Sequence, residues 1–222
     1  MSDVAERGAR ATGLGFSVPP IPPSVLAAAT HWDVPAGRFL QVSAGDVCYG
    51  VRTGMVKLTC SSYRNDGALV DVLEPGQWFG VVDLFATGRC GFSAETASPC
   101  SLFVIRKAKV QQLLECDPEV QRWLLCASAA RVHRIAERHQ VLTSSTPEER
   151  VHWAIHMLAE RFGYFRQGCR IVGVRMSQSQ VACVANTSRQ TVNKVMMKMK
   201  LQRQLEVVND RMVLPLNRDE GC

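Results

Sequence analysis

Between Ser177 and Lys200 the side chains are of types and spacings that could hydrogen-bond base edges and phosphates. Arg189, Gln190, Asn193 and Lys194 sit at steps of one, three and one, so a helix over this stretch presents them together. Arg or Lys can bridge guanine O6 and N7, and Gln or Asn can bridge adenine N6 and N7. Ser177, Thr187 and Ser188 suit phosphates at helix N-termini, and Lys198 and Lys200 extend the basic run.

These groups need a rigid mount, and the local sequence provides one. Ser177-Gln178-Ser179-Gln180 has capping-box form, and Thr187-Ser188-Arg189-Gln190 repeats it ten residues on. The spacing predicts a short helix, a tight turn and a second helix, with Val181, Ala182, Ala185, Val192 and Val195 inward. Ala182 keeps the crossing close. Asn186 falls at the turn, where positive φ is needed and Asn is the non-glycine residue that tolerates it best. Leu205 to Leu214 then reads as a hairpin with Asn209-Asp210 at its tip, which makes the unit a winged helix-turn-helix.

Charge agrees with a polyanion partner at one end of the chain. Of the net +6, residues 146–222 carry 12 Lys and Arg against 7 Asp and Glu, and residues 1–145 carry 14 against 13. No stretch approaches the ~20 apolar residues of a membrane helix. Met1 to Arg10 carries no apolar core of a secretory signal, so the expected location is cytoplasmic.

The remaining elements follow from periodicity and breakers. Residues 1–23 are small, polar and end Pro-Pro-Ile-Pro-Pro, which reads as a flexible arm. A short helix from Ser24 to about His31 is expected, with Ser24 as its cap. From Arg38 to Arg106, short apolar or alternating runs recur about every ten residues between turn signals, as in an antiparallel sandwich or barrel. Asp66-Gly67 reads as a hairpin tip and Glu74-Pro75-Gly76 as another turn.

After Asp117-Pro118 a long helix runs from Glu119 to Leu142. Its stripe Leu125, Ala129, Val132, Ala136, with Ile135 beside it, suits close approach of a second helix. Thr143-Ser144-Ser145 breaks the pattern. Thr146-Pro147-Glu148-Glu149 starts another helix, with Val151, Ala154, Ile155, Leu158 and Phe162 buried and Gly163 at its end. The expected domains are an arm (1–23), a β domain (24–118), a dimer helix (119–143) and a DNA-binding domain (146–222).

Other chemistry is sparse. No nucleophile–base constellation, phosphate loop or zinc motif points to an enzyme. The nine cysteines are single and read as reduced, mostly buried side chains. His152, His156 and Glu160 share a helical face, but a solvated polar face accounts for them, so no metal site is assigned.

The whole plan resembles the CRP/FNR family of bacterial regulators, over about Arg38 to Leu216. The most specific piece is Thr187 to Lys194, similar to the family's S-R-E-T-V-x-R recognition helix, with Gln190 in place of Glu and Lys194 in place of Arg. Gly76-Gln77-Trp78-Phe79-Gly80 with Leu84-Phe85 is similar to the signature of the family's β-roll. The resemblance implies an α+β fold: an N-terminal antiparallel, jelly-roll-like β-roll, a long dimerisation helix and a C-terminal winged helix-turn-helix.

It also implies a homodimer on a pseudo-palindromic double-stranded operator, a small-molecule effector, and RNA polymerase as a partner if the protein is an activator. The effector pocket would involve Phe79, Gly80, Val81, Val82, Arg89 and Cys90. Cyclic-nucleotide binders of the family follow that glycine with Glu and later carry Arg-Ser. Here Val81 and Arg89-Cys90 stand instead, which argues against cyclic AMP in the usual mode. No cofactor is assigned. Two alternatives stay open: a redox- or haem-sensing regulator of the same fold, with Cys90 beside Arg89 as the redox residue, and a small-molecule-binding module with non-specific nucleic-acid affinity.

Overall fold

The computed structural model describes residues 18–40, 42, 46–62, 65–81, 84–85 and 92–215, with backbone alone for 60–62 and 65–68. The chain forms two compact units, Met1–Glu137 and Arg138–Cys222. Each is built around its own core.

The first unit opens with α1 (Pro23–Ala28) and β1 (Thr30–Val34). The short helix therefore ends before His31, which lies in β1 opposite Phe103. Nor does Ser24 cap it: Pro22 occupies that position, and the Ser24 hydroxyl donates to Asp117 Oδ2 at 2.6 Å. With Pro23 opening the helix, Ser24 lies inside the first turn, and its hydroxyl proton goes to the Asp117 carboxylate more than ninety residues on.

Seven further strands follow: β2 (Phe39–Leu40), β3 (Val47–Thr53), β4 (Val56–Ser62), β5 (Asn65–Leu73), β6 (Trp78–Phe79), β7 (Phe92–Thr96) and β8 (Cys100–Arg106). They make two antiparallel four-stranded sheets, ordered β1-β8-β3-β6 and β2-β7-β4-β5. Val51, Val56, Leu58, Leu73, Phe79 and Leu102 fill the space between them. The opposite face of the first sheet is also covered. Cys48, Trp78, Phe103 and Ile105 pack there against Val120, Trp123 and Leu124. Burial on both faces explains why β3 reads Val-Cys-Tyr-Gly-Val without polar alternation. Gly50 is required in it, because a Cβ would collide with the Trp78 indole. Trp78 in turn meets Trp123 edge-on at 5.6 Å.

Asp66-Gly67 is not the hairpin tip. Both residues lie inside β5, and Ser62 already pairs with Asn65. Buried Val56 and Leu58 pair opposite Leu73 and Asp71, and this core-facing register carries the ladder past the Asp-Gly pair. The Glu74–Gly76 turn forms as expected, with Gly76 at φ 91.

Two helices complete this region: α2 (Lys107–Cys116) and α3 (Pro118–Ser144). Val120, Trp123, Leu124 and Ala130 form the buried side of α3. Its other side is bare: Leu125 is 71 % and Val132 67 % exposed, and Ala129, Ile135 and Ala136 are exposed with them. Asp71 of β5, only 5 % exposed, meets Arg131 Nε of α3 at 3.5 Å and Arg134 Nη2 at 4.0 Å. Arg131 also donates to the Trp78 carbonyl at 3.2 Å.

The second unit centres on α4 (Pro147–Phe162). Thr146 caps it with the full capping box: Glu149 N–H donates to Thr146 Oγ1 at 3.3 Å and Thr146 N–H to Glu149 Oε2 at 2.7 Å. Val151, Ala154, Ile155 and Leu158 are fully buried, whereas Phe162 is only half-buried. Phe162 misses the core because the helix stops there. Gly163 ends it in extended backbone, where a side chain would strike the Ala159 carbonyl.

A hairpin then forms that periodicity did not suggest, β9 (Gly163–Arg166) and β10 (Cys169–Val172), turning through Gln167 (φ 49) and Gly168 (φ 73). With β11 (Glu206–Val208) and β12 (Arg211–Pro215) it makes a sheet ordered β11-β12-β10-β9. The β11–β12 hairpin turns at Asn209 (φ 50) and Asp210 (φ 61), the tip expected of the wing.

Candidate nucleic-acid interface

Two helices stand between those hairpins: α5 (Gln178–Val184) and α6 (Arg189–Leu201). Ser177 caps α5 through a complete box, accepting from Gln180 N–H at 3.2 Å while its own N–H donates to Gln180 Oε1 at 2.8 Å. At the far end, Asn186 takes φ 47, its N–H donates to the Cys183 carbonyl at 3.3 Å, and Thr187 N–H donates to the Ala182 carbonyl at 3.0 Å. This is the paired bonding of a Schellman stop. Asn186 thus does what glycine usually does there.

The stop displaces the second cap by one residue. Thr187, the expected cap of α6, has its N–H committed to closing α5. Ser188 caps instead, accepting from Thr191 N–H at 3.1 Å. The second helix therefore begins at Arg189.

All five residues expected inside are there: Val181, Ala182, Ala185, Val192 and Val195 are each at most 6 % exposed. Met196, Met199 and Leu205 join them. On the outside, Ser177, Ser188, Arg189, Gln190, Asn193, Lys194, Lys198 and Lys200 are all exposed, and Thr187 is partly covered. From Arg175 to Leu205 there are six Lys and Arg and no acid. A helix N-terminus, a field of one sign and exposed donors of fixed direction are what anionic backbones and base edges require.

Several participants escape a reading of the sequence. Gln178 Nε2 donates to Asn193 Oδ1 at 3.3 Å, joining the two helices across their outer edge. Arg138 Nη2 donates to the Val184 carbonyl at 3.3 Å, satisfying the end of α5. Glu148, in the first turn of α4, holds Lys194 Nζ at 2.9 Å. The Lys194 hydrogen bond, and then its charge, hold the Glu148 carboxyl below the usual glutamate range, with Lys198 adding to the effect. Burial pushes His152 down, with His156 and Lys198 contributing. None of these contacts has a local spacing that could announce it, because each joins separate elements.

The effector residues fare differently. Phe79 is fully buried and stacks on Tyr49 at 5.1 Å. Gly80 takes φ 82 against the Val47 carbonyl, and Val81 is 9 % exposed within the apolar cluster of Cys48 and Trp78. These three are core, and they offer no side-chain polar group. Val82, Arg89 and Cys90 lie outside the described residues. Among the described residues, His152, His156 and Glu160 form no group able to hold a metal ion. Of the cysteines, Cys48 and Cys100 are buried, and Cys116 is exposed, against the expectation of mostly buried thiols, because it sits on the outer face where α2 ends. Burial pushes the Cys100 thiol up, away from reactive thiolate. No helix among the described residues is long and apolar enough to cross a membrane.

The described chain thus carries a double-sheeted roll, a long helix and a winged helix-turn-helix. Comparison with known proteins agrees. Residues 39–117 match the family model of the cyclic nucleotide-binding domain. A CRP-like cAMP-activated global transcriptional regulator of Mycobacterium tuberculosis is 27% identical over 182 residues, 79% of this chain and 81% of that protein. A solved CRP/FNR-family regulator of Thermus thermophilus has a TM-score of 0.68 at 20% identity, covering 86% of this chain and 95% of that one. The c-di-GMP-responsive global regulator CLP of Xanthomonas campestris gives 0.70 at 19%, covering 87% and 97%. Residues 39–117 thus carry the match to a cyclic nucleotide-binding domain, and the chain as a whole is similar to CRP/FNR-type transcription regulators.

Proposed function

We propose that this protein is a transcription regulator of the CRP/FNR type, a cytoplasmic homodimer that reads a pseudo-palindromic DNA site with α6. The observation that carries this reading is the Schellman stop at Asn186. It delivers α6 with Ser188 as cap and with Arg189, Gln190, Asn193 and Lys194 exposed on its first turns. These four read base edges. Ser177, Thr187, Ser188, Lys198 and Lys200 meet phosphates. The bare stripe of α3, Leu125, Ala129, Val132 and Ala136, supports pairing with a second copy, and dimeric helix-turn-helix proteins read half-sites about one DNA turn apart.

The roll binds a small-molecule effector that shifts the dimer between DNA-competent and incompetent forms. The relatives' names differ on what such an effector is, cAMP for one and c-di-GMP for another. In this chain the buried Val81 lacks the acceptor that a ribose hydroxyl needs, which argues against cyclic AMP in the usual mode. RNA polymerase is the further partner if the protein activates.

A mobility-shift titration against random genomic fragments at physiological salt tests the reading. One recurring sequence that outcompetes bulk DNA supports it. Equal retention of all fragments overturns it in favour of a regulatory module with non-specific affinity.

A further inference from the structure

We infer that Glu148 is a specificity-determining residue, a built-in carboxylate that holds Lys194 away from backbone phosphates and so weakens binding to wrong DNA more than to right DNA. This rests on α6 being the reading helix. Glu148 Oε1 accepts from Lys194 Nζ at 2.9 Å, across two elements 46 residues apart.

The pair is not core glue, since the lysine side chain is 76 % and the glutamate 45 % exposed. Exposed ion pairs contribute about 0–1 kcal/mol to stability. Nor does the helix start require Glu148, because Glu149 already completes the cap with Thr146. What the contact changes is the state of Lys194. A lysine that neutralises a phosphate gains from counterion release. One that already faces a carboxylate gains little unless that carboxylate is displaced. An ammonium has three donors, and Glu148 takes one. Two remain for a guanine that presents O6 and N7. Random DNA is therefore penalised, while a matched base can still be met, which is discrimination by a repulsive element.

The test uses the full chain as wild type, Glu148→Gln, Lys194→Ala and the double variant. Fluorescence anisotropy is read at several salt concentrations on a random-sequence duplex of about 30 base pairs and on the best duplex selected from a random library. Glu148→Gln should bind the random duplex roughly two- to five-fold tighter. Its salt slope should steepen by about one, and the selected duplex should change less. In the Lys194→Ala background the same substitution should change neither. Unchanged or weaker binding to the random duplex overturns the inference, as does an equal gain without Lys194. A wild type that selects DNA normally while Glu148→Gln is silent overturns this inference alone. A wild type that prefers no sequence overturns it together with the reading on which it rests.

Discussion

Gln178 on α5 and Asn193 on α6 share a hydrogen bond of 3.3 Å, from the Gln178 amide nitrogen to the Asn193 carbonyl oxygen. The bond restrains the Asn193 side chain through its oxygen and engages neither of its amide N–H groups. A free asparagine can bridge adenine with both ends of its amide. Asn193, with one lone pair of its oxygen engaged, has one acceptor position fewer to offer and keeps both N–H donors. Gln190, on the turn before, carries no such bond in the structure, so of the two amides it is the better placed to read both a donor and an acceptor.

The position of the second cap separates two registers of α6. Ser188→Ala should cost about 1 kcal/mol in urea unfolding, with the slope against denaturant unchanged. Thr187→Ala should cost only a few tenths, because its hydroxyl holds no cap bond. The reverse order would place the helix start one residue earlier.

The bare stripe of α3 should be where two chains meet. Val132→Glu places a charge at a residue now 67 % exposed, so the monomer fold should survive. Dimerisation measured by sedimentation should weaken by at least about tenfold, as expected for losing burial of a valine on each chain. A variant that remains dimeric at wild-type concentrations would remove this stripe from the interface.

Asp71 should be among the costliest acids to remove. It lies buried between β5 and α3 and faces Arg131 and Arg134, themselves mostly buried. Asp71→Ala leaves those guanidiniums short of a carboxylate and should destabilise by about 3 kcal/mol in denaturant unfolding. Asp71→Leu combined with Arg131→Met should recover part of the loss. A loss below about 1 kcal/mol for the single change would mean the cluster is solvated in solution.

Acid should loosen the start of α4. The Thr146 backbone N–H, and then its hydroxyl, hold the Glu149 carboxyl below the usual glutamate range. A carboxyl lowered in the folded state contributes stability above its unfolded pKa, and loses it as pH falls through the folded value. The melting temperature should therefore fall as pH drops from about 5 towards 3, and Glu149→Gln should flatten that fall. A wild-type profile matched by the variant's would contradict the assignment.

The sequence is most legible where local rules decide. Capping boxes at Ser177 and Thr146, the positive φ of Asn186 and the Asn209-Asp210 tip depend on neighbours within a few residues. The inward set Val181, Ala182, Ala185, Val192 and Val195 follows from helical period alone. Local rules fail where distant groups compete. Ser24 lies inside the first turn and bonds Asp117 instead of capping, and the register of β4 and β5 overrides Asp66-Gly67. The β9–β10 hairpin escapes the reading although Gln167-Gly168 marks its turn, because four-residue strands leave too little alternation. Phe79, Gly80 and Val81 match a family pocket by motif. Their burial in the roll's core is set by packing between distant strands, which the motif does not announce.

The central claim is that Arg189 on α6 reads a base. The most direct test is the affinity ratio between the selected duplex and a random duplex, for wild type and for Arg189→Ala. Arg189→Ala should lose about 1–3 kcal/mol on the selected duplex and little on the random one, so the ratio collapses. Equal losses on both duplexes would make Arg189 a phosphate contact and contradict the reading role assigned to α6.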